Sequence, residues 1–116
     1  MVTPRSAKAK GTSFERHLAD ALRESGVFPE AERAPRWGSK DKGDLVNVLP
    51  FCIEAKATKH IDLAGFLAEA EVEAGHAGAD FPVVVIKRRM KPVLDSYVVM
   101  TLEDWLELVR VTMSHA

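Results

Sequence analysis

The pattern of apolar and polar positions predicts a first helix at about 12–25. Apolar residues recur there at intervals of three and four, which places them on one side of a helix. Thr12 and Glu15 have the spacing of a capping box at its start, and Gly26 supplies a stop after its end. The preceding residues 1–11 are small, polar and basic, and are predicted to form a flexible arm.

Two further helices are predicted in the second half of the chain. The segment at about 62–75 has its apolar residues in one stripe, with Glu69 and Glu73 towards the outside. The last helix follows Thr101, which is a good N-cap residue.

Five short segments have the character of strands. They lie at about 28–33, 44–48, 51–56, 81–86 and 96–100. The fourth is a continuous apolar run, as in a strand that is covered on both faces. The element order α-β-β-β-α-β-β-α predicts an α/β fold, with a mixed β-sheet and helices on its faces.

Composition bounds the class of protein. With 116 residues, of which 47% are hydrophobic and 28% charged, the chain fits one globular domain, predicted at 12–116. Cys52 is the only cysteine, which excludes a disulfide framework and a cysteine-based zinc site and favours a reduced, cytoplasmic compartment. Since no apolar run approaches the roughly 20 residues of a membrane-spanning helix, no membrane partner is predicted.

The net charge of −1 hides an uneven distribution. Residues 1–60 carry 11 Lys and Arg against 8 Asp and Glu, whereas residues 93–116 carry one Arg against four acids. The field near a surface depends on the local charge, so the basic part can approach an acidic partner such as a nucleic acid.

The candidate chemistry lies in residues 43–56, GDLVNVLPFCIEAK. Side chains alternate between the faces of a strand, so Glu54 and Lys56 share one face. Asp44 joins them in an antiparallel hairpin if it lies opposite Lys56, which requires a three-residue turn. A two-residue turn places Asp44 opposite Ala55, on the other face, unless twist or a bulge relaxes the register.

Two carboxylates beside a lysine favour a bound cation, because like charges that meet are costly. Mg²⁺ takes carboxylate, water and phosphate oxygens, and Mn²⁺ is expected to substitute for it. Lys56 would then position water or stabilise developing charge on a phosphate. On spacing alone, a surface ion pair of Glu54 and Lys56, with Asp44 capping a turn, explains the pattern equally well.

Several motifs in order widen this pattern: GTSFERHLADAL, R-x-x-R-W-G-S, GDL and IEAK. Over about residues 10–90 the sequence resembles the Holliday-junction resolvases of archaeal and phage type, a branch of the PD-(D/E)XK nuclease superfamily. Two positions depart from the family pattern. Gly43 replaces the usual Pro, and the Gln common in the helix after E-x-K is missing, where this chain offers Glu69 and Glu71.

The resemblance implies a restriction-endonuclease-like core and a Mg²⁺-dependent active site. The implied catalytic residues are Glu15, Ser39, Asp44, Glu54 and Lys56. The implied metal-binding residues are Glu15, Asp44, Glu54 and Ala55. Glu15 also has the capping-box role described above, and one rotamer cannot fill both.

Three basic clusters are candidate DNA contacts, since phosphate contacts supply most nucleic-acid affinity. The predicted DNA-binding residues are Lys8, Lys10, Arg33, Arg36, Trp37, Lys40, Lys42, Arg88 and Arg89. Each cluster is also compatible with a solvated loop, and Trp37 with either a buried anchor or a base-stacking platform.

The expected function is hydrolysis of phosphodiester bonds in branched DNA, above all in four-way junctions, by a homodimer with no small-molecule cofactor. Two alternatives stay open at this point. The same chemistry can act on flap, single-stranded or duplex DNA, or the chain can be a non-catalytic DNA-binding dimer.

Overall fold

A computed structural model describes residues 4–35 and 42–114 of the chain. Its elements, in order, are α1 (Pro4–Glu24), β1 (Glu32–Arg33), β2 (Leu45–Val46), β3 (Phe51–Lys56), α2 (Leu63–Ala77), β4 (Phe81–Ile86), β5 (Tyr97–Val99) and α3 (Leu102–Ser114). A short 3-10 turn, Val93–Asp95, precedes β5. The predicted order of helices and strands is confirmed.

The main sheet is mixed, as predicted. Its strand order is β3-β4-β5, with β3 parallel to β4 and β5 antiparallel to β4. Parallel neighbours need a crossover connection, which α2 supplies. β1 and β2 form a separate antiparallel ribbon of two residue pairs.

Helices cover both faces of this sheet. On one face Phe14 and Leu18 of α1 pack with Ile53, Val83 and Val85 in the larger core cluster. On the other face, Ala70 of α2 packs with Val84 and Ile86 of β4. This alternation decides where the candidate site lies, because Glu54 is aligned with Val84 and therefore faces α2.

The predicted start of the first helix is wrong. Helix α1 begins at Pro4, so residues 4–11 continue the helix and are not a flexible arm, and Thr12 lies inside it. Proline is tolerated in the first turn of a helix, and the Ala and Lys residues that follow are strong helix formers. The capping box of Thr12 and Glu15 therefore does not exist.

The other helix boundaries agree with prediction within a few residues. The side chain of Asp62 accepts a hydrogen bond from the N–H of Gly65 at 3.0 Å and caps α2. The hydroxyl of Thr101 accepts one from the N–H of Asp104 at 3.1 Å and caps α3. None of the helices within residues 4–35 and 42–114 has the length and apolar character needed to cross a bilayer.

Candidate active site

Glu54 is a buried carboxylate at the centre of the candidate site. Its neighbour Ile53 packs in the core under α1, so the alternation of the strand turns Glu54 towards α2. Glu54 is only 4% exposed. Its Oε1 atom is buried and has no hydrogen-bond partner among the described residues, and its Oε2 atom lies 3.8 Å from Nζ of Lys56.

The turn before β3 differs from the one predicted. The N–H of Phe51 donates to the carbonyl of Val48 at 2.9 Å, which closes a turn with only two residues between them. The prediction of a three-residue turn, with Asp44 opposite Lys56, is therefore wrong. In a regular hairpin this turn would send Asp44 to the opposite face.

Irregular backbone restores the meeting of the two carboxylates. Asn47 has a φ of 63° and Gly43 a φ of 100°, and β2 between them pairs with β1 and forms no regular ladder with β3. The N–H of Asp44 donates to the carbonyl of Ile53 at 2.9 Å, and its Oδ2 accepts from the N–H of Ala55 at 2.7 Å. Asp44 thus reaches Glu54 through a local distortion of the kind that a bulge introduces.

Gly43 has a steric reason for lacking a side chain. A Cβ atom at this position would lie 2.8 Å from Sγ of Cys52 and 3.2 Å from the carbonyl oxygen of Ile53. The positive φ adds a second reason, since residues with a side chain rarely adopt it. Because Gly43 approaches β3 so closely, Asp44 lies beside Glu54.

The contacts of Glu54 favour its protonated form in the metal-free protein. The pKa of Glu54 is raised from 4.5 to about 10. Burial is the largest cause, followed by the hydrogen bond and charge of Asp44 and then by the hydrogen bond and charge of Glu73. Carboxyl groups hydrogen-bond to each other only when they share a proton. A cation that replaces this proton would relieve the same repulsion.

Lys56 stands beside these acids as a fixed positive charge. Its Nζ donates to Oε2 of Glu69 at 2.9 Å and lies 4.9 Å from the centre of the Phe66 ring. Burial lowers the pKa of Lys56, but the carboxylates of Glu69, Glu54 and Asp44 outweigh it, and the net shift is upward. Lys56 is therefore charged at neutral pH.

The third acid is one that sequence reasoning placed on the wrong side. Glu69 is exposed as predicted, but Glu73 is only 7% exposed and its carboxyl contacts Glu54. Glu71, the other acid near the position where the resolvases of the sequence resemblance carry Gln, is exposed. The helical pattern shows which residues lie on the same side of α2. Which of its acids is buried depends on how α2 lies over β3.

The two meeting carboxylates offer the ligands that Mg²⁺ takes. Among residues 4–35 and 42–114 no group of three or more His, Cys, Asp or Glu side chains is arranged to hold a metal ion. Mg²⁺ is commonly held by one or two carboxylates with water and phosphate completing its shell, which Asp44 and Glu54 can provide. Ala55 has no side-chain ligand atom, and its N–H is bonded to Asp44.

Glu15 contacts a residue that was predicted to bind DNA. It is buried, and its Oε1 lies 3.6 Å from Nε of Arg33. Arg33 pairs with Leu45, the residue after Asp44. Glu15 is thus linked through Arg33 to the strand that follows Asp44. The predicted set of Glu15, Asp44 and Glu54 does not form a three-carboxylate metal group.

The remaining predicted residues are either placed by the structure or lie outside the described residues. Lys10, Lys42 and Arg89 are exposed, and the guanidinium of Arg88 lies 5.0 Å from the Tyr97 ring centre. Lys8 is part of α1. Ser39, Arg36, Trp37 and Lys40 lie outside the described residues.

The raised pKa of Glu54 predicts how the stability of the metal-free protein depends on pH. Between 4.5 and about 10 the folded protein holds a proton that the unfolded chain releases. The stability due to this proton is complete below pH 4.5 and is lost as the pH rises through about 10. Urea unfolding in EDTA should therefore show stability falling with pH, with a smaller slope in Glu54→Gln. Equal slopes would contradict the shift.

Three comparisons, with protein-family models, with curated proteins and with solved structures, each found no match for this chain. The site therefore rests on its own geometry, which brings together Asp44, Glu54, Lys56 and Glu73 between β3 and α2.

Proposed function

We propose that this protein is a Mg²⁺-dependent endonuclease of the PD-(D/E)XK type, with a restriction-endonuclease-like core, that hydrolyses phosphodiester bonds in branched DNA. The observation that supports the proposal most is the meeting of Asp44 with the buried Glu54 beside Lys56. A surface ion pair would be solvated, whereas Glu54 is buried and one of its oxygens has no hydrogen bond among the described residues. Such a group is costly unless a ligand compensates it.

Each residue has a definable part in such a reaction. Asp44 and Glu54 would hold Mg²⁺, which, when bound, polarises the scissile phosphate and lowers the pKa of bound water. Lys56 is positioned by Glu69 and by the face of Phe66, so its charge is fixed at the edge of the site. There it can orient a water molecule and stabilise negative charge that develops on the phosphate.

Exposed basic residues provide the charge that a DNA backbone needs. Lys42 adjoins the segment that carries Asp44, and Lys87, Arg89 and Lys91 follow β4, the neighbour of β3. Such contacts fix position on the phosphates without reading the bases. Selection by shape is therefore proposed, with four-way junctions as the preferred substrate because of the resolvase resemblance.

A panel of substrates tests the proposed activity. Purified protein is offered a four-way junction, a flap, a single strand and a linear duplex of matched sequence, with Mg²⁺ or with EDTA. We expect paired cuts in the junction with Mg²⁺ only. Equal cutting of all four would leave a nuclease without junction preference. Binding without cutting, under both Mg²⁺ and Mn²⁺, would favour the non-catalytic DNA-binding alternative.

The homodimer is proposed on the face formed by β5 and α3. Helix α3 is amphipathic, yet it contains no buried residue. The exposed apolar residues of these two elements are Tyr97, Val98, Leu102, Trp105, Leu106, Val111 and Met113, of which Leu102, Trp105, Leu106 and Met113 share one side of α3. A 13-residue helix is marginal unless its apolar side packs against something. A second copy fits by charge, since α3 carries Glu103, Asp104 and Glu107 and the turn after β4 is basic.

Substitution of Leu106 by Glu is expected to convert the dimer to a monomer without unfolding it. Leu106 is exposed in the single chain, so a charge there disturbs only a contact between copies. Sedimentation velocity measures the change, with Val27→Glu, also at an exposed apolar position, as the matched control. A wild-type protein that sediments as a monomer would contradict the dimer.

A further inference from the structure

Glu73 is a buried acid that neither the helix pattern nor the proposed reaction requires. It lies on the side of α2 that also buries Ala70 and Ala74, in contact with the sheet. Its carboxyl contacts that of Glu54, and this contact is among the causes that raise the pKa of Glu54. Acids are almost never this deeply buried unless they are paired.

The geometry of helix over strand explains why the contact is specific. Two residues along β3 advance about 6.7 Å, and four residues along α2 advance about 6 Å. Glu54 and Lys56 on β3 therefore match Glu73 and Glu69 on α2 as two opposed pairs. Lys56 with Glu69 is an attractive pair at 2.9 Å, whereas Glu54 with Glu73 joins two acids.

The asymmetry of the two pairs indicates a role for Glu73. The pair formed with the exposed Glu69 holds the half-buried Lys56, and the buried pair holds a carboxylate whose Oε1 has no hydrogen bond in the described part of the chain. Any ligand at this oxygen needs Glu54 in one orientation, and Glu73 of α2 contacts the Glu54 carboxyl group.

We propose that Glu73 is a positioning residue, which acts through its contact with Glu54 to hold that carboxylate towards Asp44 for a hard divalent cation. The inference rests on the proposed function for the identity of the cation, but it concerns cation binding without DNA. Groups that orient a metal ligand typically contribute 10- to 100-fold in metal affinity. Glu73 would act in this way and would not itself bind the cation.

Calorimetric titration with Mn²⁺, without DNA, tests the proposal on four proteins: wild type, Glu73→Gln, Glu73→Leu and Glu71→Gln. Glutamine keeps the shape and can still hydrogen-bond Glu54, so its affinity should stay within about threefold of wild type. Leucine removes the polar contact, and its affinity should fall about 10- to 100-fold. Glu71→Gln makes the same change of charge at an exposed position of the same helix and should bind as wild type does.

Each other outcome has a defined meaning. An unchanged affinity in Glu73→Leu would overturn the positioning role. A loss in Glu73→Gln as large as that in Glu73→Leu would also overturn it, because the charge of Glu73 would then act on the cation directly. A wild-type protein that binds Mn²⁺ as expected but cuts no DNA would remove the proposed function alone. A wild-type protein that binds no Mn²⁺ would overturn both.

A second measurement needs neither a cation nor the leucine variant. Glu54→Gln, Glu73→Gln and the double variant are unfolded by urea in EDTA, together with wild type. Residues in contact give non-additive changes in stability, and distant residues give additive ones. We expect a clear non-additive term, since either substitution alone already changes the contact that the two side chains share. Additive changes would overturn the contact on which the proposal rests.

Discussion

Asp44→Asn and Glu54→Gln are each expected to reduce DNA cleavage at least a hundredfold while DNA binding stays nearly unchanged. Each substitution keeps the shape of the side chain but removes a charge that is proposed to hold Mg²⁺. Loss of a group that only orients a metal ligand typically lowers metal affinity or activity 10- to 100-fold. Loss of a direct ligand should therefore lower activity further. Phosphate contacts are expected from basic residues elsewhere, so DNA binding should not depend on these acids.

The same variants carry an internal check on folding. Glu54→Gln should be more stable than wild type in EDTA at neutral and higher pH, because it removes a buried group whose charged form is disfavoured.

Single-turnover cleavage and gel-shift binding are measured at the same salt concentration. Glu107→Gln, an exposed acid on α3, is the matched control. Normal cutting by either variant would contradict the proposed active site.

Phe14→Ala is expected to lower the free energy of unfolding by about 3–5 kcal/mol. Phe14 is 2% exposed and packs with Leu18, Ile53 and Val83 between α1 and the sheet. Removal of the ring leaves a cavity that close packing cannot refill. Urea unfolding in EDTA measures the loss, which should exceed any effect of Val27→Ala at an exposed position.

This substitution also separates fold from site. Phe14 lies on the face of β3 opposite to Glu54, so the site should stay intact in the fraction of Phe14→Ala that remains folded. Mn²⁺ affinity of the folded variant should therefore match that of wild type. A loss of stability below about 1 kcal/mol would contradict the packing of α1 on this face.

The sequence was sufficient for the elements whose signals are local. Strand β4 could be read as a continuous apolar run, and the caps Asp62 and Thr101 mark the starts of α2 and α3. The sharing of one face by Glu54 and Lys56 also follows from strand alternation alone. In each case the deciding contact lies within a few residues along the chain.

The errors arose where distant segments decide the outcome. The position of Asp44 depends on the close approach of Gly43 to Cys52, which no local pattern reveals. The burial of Glu73 depends on how α2 lies over β3. The start of α1 differs from the prediction for another reason, since a run of small and basic residues after proline is compatible with either a helix or an arm.

A single diffraction experiment tests the central claim, that Asp44 and Glu54 form a cation site. Crystals are soaked in Mn²⁺, and anomalous differences are recorded at the manganese edge. We predict a peak within about 2.5 Å of a carboxylate oxygen of Asp44 and of one of Glu54, reached without rearrangement of β3. An ordered site without manganese, or manganese bound only elsewhere, would contradict the account.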